Sequence, residues 1–182
     1  KLEVVQSIQE NGYYCVPATV QMALSYNGIQ MSQDELALKL NTSSVTGTEY
    51  IELANVLNLL LFNKDHVEVN EAGYHIQTFE PNAITSNDLN KLEKRIISNV
   101  ETKDFTFVAV NMNALYSNMP VANHMILIVG YDIDTQSNTV TDYLYIDHYP
   151  EVQDTTYGGL KTISPANLME AINSNEEPAY VY

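Results

Sequence analysis

Basic residues are scarce in this sequence. Lysine and arginine number 8 against 23 aspartates and glutamates, the only arginine is Arg95, and the formal net charge is −15. Nucleic acids and anionic membranes present phosphates, which bind to a basic surface that this composition does not provide. We therefore expect no nucleic-acid partner, and the acidic charge favours a cationic one.

Long apolar runs and paired cysteines are also absent. A helix that spans a bilayer needs roughly 20 apolar residues, whereas the apolar stretch "MILIVG" has only the length of a strand. Cys15 is the only cysteine, so no internal disulfide can form. We expect no membrane insertion, and the cysteine count fits either a protein of the reducing cytosol or a secreted protein that folds without disulfides.

The length and composition predict one domain. A chain of 182 residues that is 45% hydrophobic can bury one sizeable core and does not need two. No internal repeat, low-complexity segment or linker divides it. We expect a single domain over residues 1–182 and a monomer.

Most of the helical patterns lie in the first half of the chain. A helix is predicted to begin at Cys15, because apolar residues follow at one-face spacing, Pro17 lies in its first turn and Gly28 comes after its end. Further helices are predicted over "MSQDELALKL" with a capping box from Ser32 to Glu35, "EYIELANVLNLL", "NDLNKLEKRIISNV" capped by Ser86, and "ANLMEAIN" after Ser164 and Pro165.

The second half of the chain is typical of strands. "HMILIVGYDI" and "TVTDYLYIDHY" are rich in β-branched and aromatic residues, and the polar turn "DTQSN" between them predicts an antiparallel hairpin. Other predicted strands are "DHVEVN", "YHIQTFE", "FTFVAVNM" and the closing "AYVY". This order predicts an α+β fold with a mostly antiparallel sheet.

Cys15 is a candidate nucleophile. The free backbone N–H groups at a helix N-terminus favour a thiolate over a thiol. Cysteine is also among the residues most often buried for structural reasons, so location alone leaves both interpretations open.

His124 and Asp147 could supply the base that thiolate chemistry requires. His124 opens an apolar strand, and a buried imidazole needs a hydrogen-bond partner. Asp147 ends the strand that the hairpin places beside it, so the two side chains should meet.

Other polar residues are weaker candidates. His66 and His75 lie in polar stretches typical of the surface, and Asp132 and Asp134 lie next to the hairpin turn that they are expected to form. Gly158-Gly159 is interpreted as a turn between a loop and a strand. The scattered histidines and single cysteine indicate no metal site, and we expect no cofactor.

Gln9 could complete an acyl-transfer site. A glutamine shortly before the nucleophile can donate its side-chain NH2 to the oxyanion of the intermediate, together with the backbone N–H of Cys15. Gln9 precedes Cys15 in the stretch "QENGYYC". On its own, a glutamine in a loop is more often simply solvated.

Together these stretches resemble a known family. "QENGYYCVPATVQMALSYNGI", "SQDELALKL", "HMILIVGYD", "YIDHY" and "ISPANLMEAINSN" are similar, in order, to papain-like cysteine peptidases related to the bacteriocin-leader-processing (double-glycine) peptidases, and among them to the stand-alone secreted type of Gram-positive bacteria. The resemblance implies a papain-like fold in which the nucleophile helix packs on the sheet. With the missing initiator Met, it also implies secretion after removal of a signal peptide.

The resemblance implies a role for each candidate. Cys15 would be the nucleophile, His124 the general base and then acid, Asp147 the orienting carboxylate and Gln9 the oxyanion donor, acting on a peptide or protein substrate. Two other functions stay open: acyl transfer or deamidation with the same residues, and a catalytically silent binding module.

Three positions depart from the family pattern. Val16 stands where members usually have Gly after the nucleophile, Asn123 where many have Gly before the histidine, and His148 where Pro often follows the aspartate. None of these changes removes a reacting group. They bear on substrate preference and rate.

Overall fold

The computed structural model describes all of residues 1–182. It contains one sheet of six antiparallel strands in the order β1-β6-β2-β3-β4-β5. The elements are α1 Cys15–Tyr26, α2 Gln33–Lys39, α3 Tyr50–Phe62, β1 Ile76–Thr78, α4 Ser86–Thr102, β2 Thr106–Asn111, α5 Met112–Leu115, β3 Asn123–Asp134, β4 Thr139–Ile146, β5 Leu160–Ile163, α6 Pro165–Asn173 and β6 Ala179–Val181. No helix is both long and apolar enough to cross a membrane.

The sheet separates two apolar clusters. Alternate side chains of a strand point to opposite faces, and in β2 Phe107 belongs to the cluster shared with α1 and α3, whereas Val108 belongs to the cluster shared with α4 and α6. All six residues of β2 are buried, because helices cover both faces of the sheet at this central strand.

Helix α1 begins at Cys15, as the sequence predicts. Eight of its twelve residues are buried, including Val20, Ala23 and Leu24, which are fully covered. This burial fixes the helix against the sheet and therefore fixes the position of its first residue. At roughly 25 cal/mol per Å² of apolar surface, such packing outweighs the intrinsic helix preference of the sequence.

Two capping boxes mark where their helices begin, and one of these starts differs from the prediction. Ser32 accepts from the Glu35 amide at 3.1 Å and Glu35 accepts from the Ser32 amide at 2.9 Å, as predicted. The cap of α4 is Thr85 rather than Ser86, because the Thr85 hydroxyl and the Asp88 carboxylate exchange bonds with each other's amides.

One predicted strand is wrong. "DHVEVN" forms no strand: the Glu71 amide donates to the Glu68 carbonyl at 3.0 Å in a turn, and Val69 is 86% exposed. The alternating valines have no neighbouring strand to pair with, because the edge of the sheet is formed by β1. Of "YHIQTFE", only Ile76–Thr78 is strand.

The predicted hairpin positions the candidate site. Strands β3 and β4 pair antiparallel, with Leu127 opposite Ile146. The start of β3 and the end of β4 therefore lie at the same end of the sheet, which brings His124 and Asp147 together.

Candidate active site

Cys15 is the first residue of α1 and is partly buried at the edge of a cleft. No side chain caps this helix, so no cap competes for the N–H groups of its first turn. The helix N-terminus therefore presents its partial positive charge beside the sulfur.

His124 and Asp147 form a buried pair. His124 Nε2 lies 2.7 Å from Asp147 Oδ1, and the two side chains are 4% and 0% exposed. Cys15 is near enough for a hydrogen bond and its charge to raise the pKa of His124. Because Nε2 is bonded to Asp147, the nitrogen left for the Cys15 sulfur is Nδ1.

The pair shifts the pKa values of both groups toward the charged forms. Burial lowers the pKa of His124, but the charge of Asp147 and its hydrogen bond outweigh burial and raise it to about 9. Burial raises the pKa of Asp147, but the charge and hydrogen bond of His124 outweigh burial and lower it to about 2. At neutral pH the arrangement therefore favours an imidazolium facing a carboxylate.

Asp147 has two further hydrogen-bond donors, and the sequence revealed neither of them. The Tyr116 hydroxyl donates to Oδ2 at 2.7 Å and the Tyr149 amide donates to Oδ1 at 3.0 Å. Burial and then the charge of Asp147 raise the pKa of Tyr116, so its hydroxyl stays protonated and keeps donating. These bonds fix the carboxylate that faces His124.

Gln9 lies beside this group of three. It is 4% exposed, its backbone amide donates to the His148 carbonyl at 2.9 Å, and its side-chain Nε2 donates to the Asn11 carbonyl at 2.8 Å. It lines a cavity of about 180 Å³ that shares Gly12 with the main cleft. The four predicted residues therefore lie in one region. Cys15 and His124 line the main cleft, whereas Gln9 lines the adjoining cavity.

The cleft itself has a volume of about 490 Å³, and His124 is the only basic residue in its lining. Its walls are Gly12, Tyr13, Cys15, Val16, Ser44, Val45, Thr46, Gly47, Thr48, Tyr50, Asn123, His124 and Met125. The loop between α2 and α3 forms one wall and is closed by two backbone bonds between Ser43 and Gly47. No Asp, Glu, Lys or Arg lies among these residues.

Two of the departures from the family pattern lie in this cleft. Val16 is 4% exposed and packs in the core, and it also forms part of the cleft wall. Asn123 donates to the Tyr50 hydroxyl at 3.3 Å and accepts from Asn175 at 2.9 Å. Each fills space next to Cys15 or His124 without displacing it.

The weaker candidates have other roles. Asp134 accepts from the amides of Gln136 and Ser137 at 2.8 and 3.0 Å, so its predicted turn role is confirmed. His66 bonds only to Glu68, at 3.0 Å on the surface, and His75 bonds to the Glu71 carbonyl.

The paired glycines also form the predicted turn. Gly158 has a φ of +63° and Gly159 directly precedes β5. The Asp147 amide donates to the Gly159 carbonyl at 2.9 Å, which ties this turn to the residue that follows β4.

His124, Asp147 and His148 place possible ligand atoms within 4.8 Å of one another. Hydrogen bonds already engage these atoms: Asp147 is bonded to His124 and Tyr116, and both ring nitrogens of His148 are bonded. A metal ion would have to break several of these bonds. The cluster is arranged for hydrogen bonding.

Comparison with known proteins gives a family match and several structural matches. A model of the Peptidase_C39 like family matches residues 1–160. No curated protein matches the sequence. In structure the chain is similar to a double glycine motif protease from an AMS/PCAT transporter in complex with the leader peptide, at 11% identity and a TM-score of 0.57, covering 100% of this chain and 91% of that one.

Two further structures have similar scores. They are the peptidase domain of Streptococcus ComA, a bi-functional ABC transporter involved in quorum sensing (11% identity, TM-score 0.56, 100% and 97% covered), and a C39-like peptidase from Bacillus anthracis (12% identity, TM-score 0.59, 100% and 94% covered). At these identities the likeness is one of fold. It confirms the predicted papain-like α+β fold.

Proposed function

The chain belongs to the Peptidase_C39 like family, and from this membership we propose that it is a cysteine peptidase that uses Cys15, His124 and Asp147. The observation that carries the proposal is the buried bond of 2.7 Å between His124 and Asp147, beside a cysteine at a helix N-terminus. A buried, charge-paired histidine that also lines an open cleft is typical of functional sites.

The charge state supports nucleophilic catalysis. With a pKa of about 9, His124 is protonated at neutral pH and can stabilise a Cys15 thiolate through Nδ1. The thiolate attacks the carbonyl carbon of a peptide bond, and the C–N bond breaks as His124 gives its proton to the leaving amine. His124 then takes a proton from water, which attacks the thioester and releases Cys15.

The oxyanion of each tetrahedral intermediate needs donors. In this proposal the Cys15 backbone N–H supplies one and the second hydrogen of Gln9 Nε2 supplies the other, because the first is bonded to Asn11. The position of Gln9, in the cavity adjoining the cleft, supports this role.

The substrate class that we propose is a peptide. One structural relative is a protease in complex with a leader peptide, and the cleft here, of about 490 Å³, is open to solvent and has room for part of a peptide. Beyond Tyr50 the cleft adjoins a groove of about 510 Å³ that contains Glu49, Glu80, Glu176 and Glu177. These carboxylates support the proposal that basic residues of the substrate lie in this groove, outside the cleft that holds Cys15 and His124.

A single experiment distinguishes hydrolysis from the alternatives. A peptide mixture is incubated with the native protein and with Cys15→Ala, and the masses of the products are measured by mass spectrometry. Peptide fragments that together gain one water indicate hydrolysis, joined peptides indicate acyl transfer, and glutamine converted to glutamate indicates deamidation. Peptide binding without any product would indicate a silent module.

A further inference from the structure

His148 is fully buried beside the proposed site, and both of its ring nitrogens are hydrogen-bonded. Nδ1 lies 2.8 Å from Gln9 Oε1, and Nε2 lies 2.8 Å from the Met125 carbonyl oxygen. No step of the proposed mechanism uses this ring. Burial of a polar ring costs free energy, which suggests that this histidine has a role in the site.

We propose that His148 is a positioning residue that sets which end of the Gln9 amide faces the active site. This inference rests on the proposed function, in which Gln9 donates to the oxyanion.

The orientation of Gln9 follows from its neighbours. The Asn11 carbonyl can only accept, so the Gln9 atom 2.8 Å from it is the NH2. The Gln9 carbonyl oxygen then faces His148 Nδ1, and this contact is attractive only if Nδ1 carries a proton. A protonated Nδ1 therefore holds the NH2 of Gln9 in the orientation that can serve an oxyanion.

The backbone around Gln9 is held independently. The Gln33 side chain, 2% exposed, accepts from the Glu10 amide at 3.0 Å and donates to the Ile8 carbonyl at 2.9 Å. The Gln9 amide itself donates to the His148 carbonyl at 2.9 Å. With the backbone fixed on both sides, the remaining freedom of Gln9 is the orientation of its amide group, which the Asn11 carbonyl and His148 Nδ1 set together.

Each ring nitrogen of His148 faces an acceptor oxygen, but a neutral ring has only one N–H to donate. Burial and then the charge of His124 lower the pKa of His148 to about 3, although the charge of Asp147 opposes this. A neutral ring carries one proton, for which Gln9 Oε1 and the Met125 carbonyl compete. With the proton on Nε2, Nδ1 could only accept, so the Gln9 amide would have to turn. Its oxygen would then face both the Asn11 carbonyl and the oxyanion position, and it would repel both.

Long-range ¹⁵N–¹H NMR of the imidazoles tests the proton position without any activity. We expect a proton on Nδ1 of His148 at neutral pH. An unprotonated Nδ1 would contradict the proposal, whether or not the protein shows catalytic activity.

A double-mutant cycle tests the functional link, with p-nitrophenyl acetate as a small acyl donor that needs no peptide specificity. Gln9→Ala and His148→Phe should each lower kcat/KM by about 10-fold or more. In the double variant the second change should add almost nothing, because His148 acts through Gln9. His148→Asn, whose NH2 can occupy the Nδ1 position, should restore part of the rate. His66→Phe, on the surface, is the matched control.

Cys15 alkylation by iodoacetamide separates this inference from the proposed function, since alkylation forms no oxyanion. Its rate should be unchanged in His148→Phe. Additive losses in the cycle, or slowed alkylation in a folded His148→Phe, would show that His148 acts on the His124–Asp147 pair or on the fold instead. Absence of any peptide cleavage by the native protein would contradict the peptidase function alone.

Discussion

His124 Nε2 and Asp147 Oδ1 lie 2.7 Å apart in the interior of the protein, although they are 23 residues apart in the chain. The antiparallel pairing of β3 and β4 brings them together. Because the two groups are buried and in hydrogen-bond contact, the charge of each depends on the charge of the other. The proposed function rests on this dependence.

Stability should depend on pH through this pair. The pKa of His124 is raised to about 9, so its contribution is fully present below about pH 6.5 and is lost as the pH rises through about 9. The pKa of Asp147 is lowered to about 2, so its contribution is present above about pH 3.8 and is lost as the pH falls through about 2. Urea unfolding at a series of pH values measures both the acid and the alkaline loss of stability.

The control for this prediction is His124→Gln. Its free energy of unfolding should be lower overall, because Asp147 stays buried without its cationic partner. The alkaline decline should also be missing from its pH profile. An unchanged alkaline slope in the variant would assign that decline to other groups.

Tyr116→Phe should leave the Asp147 carboxylate less firmly held. The change removes the hydroxyl that donates to Oδ2 at 2.7 Å, so we expect a stability loss of about 1–3 kcal/mol and a several-fold fall in kcat with little change in KM. Urea unfolding and steady-state kinetics measure these. Tyr157→Phe, whose side chain is 64% exposed, is the matched control. Equal behaviour of the two variants would argue against a role for Tyr116.

Gly159→Ala should disrupt the active-site strand. A methyl group at this position would overlap the carbonyl oxygen of Asp147, so the backbone must move and we expect a loss of more than about 2 kcal/mol, with loss of activity. Thermal unfolding and peptide turnover measure this. Gly12→Ala, whose methyl would meet no atom within 4 Å, should keep its stability. A stable and active Gly159→Ala would contradict the described turn.

Salt should slow cleavage of cationic peptides selectively. The carboxylates of Glu49, Glu80, Glu176 and Glu177 line the groove beyond the cleft, and their attraction to lysine side chains is screened at high ionic strength. We expect kcat/KM for a lysine-rich peptide to fall several-fold between low and high salt, and that for a glutamate-rich counterpart not to fall. The same salt response for both peptides would exclude electrostatic steering.

Much of the site could be predicted because it depends on local patterns. The one-face helical spacing after Cys15 and the hairpin signal between "HMILIVGYDI" and "TVTDYLYIDHY" are enough to place three side chains at one end of a sheet. These patterns describe which elements form and which neighbours pair. They contain no information on side-chain directions at loops.

The features that the sequence did not reveal depend on tertiary contacts. Tyr116 reaches Asp147 from a loop 31 residues away, and His148 reaches Gln9 across 139 residues. The only sequence signal for His148 was its departure from the family pattern. "DHVEVN" failed for the opposite reason: its alternation is that of a strand, but no strand lies beside it.

The most direct test of the account is the alkylation of Cys15 by iodoacetamide over a range of pH, followed by mass spectrometry, in the native chain and in His124→Ala. We predict rapid labelling at about pH 6, where a free thiol is almost wholly protonated, and its loss in His124→Ala. Labelling of the native chain that is slow until the solution is alkaline, or that requires denaturant, would mean a structural cysteine and would contradict the proposed peptidase.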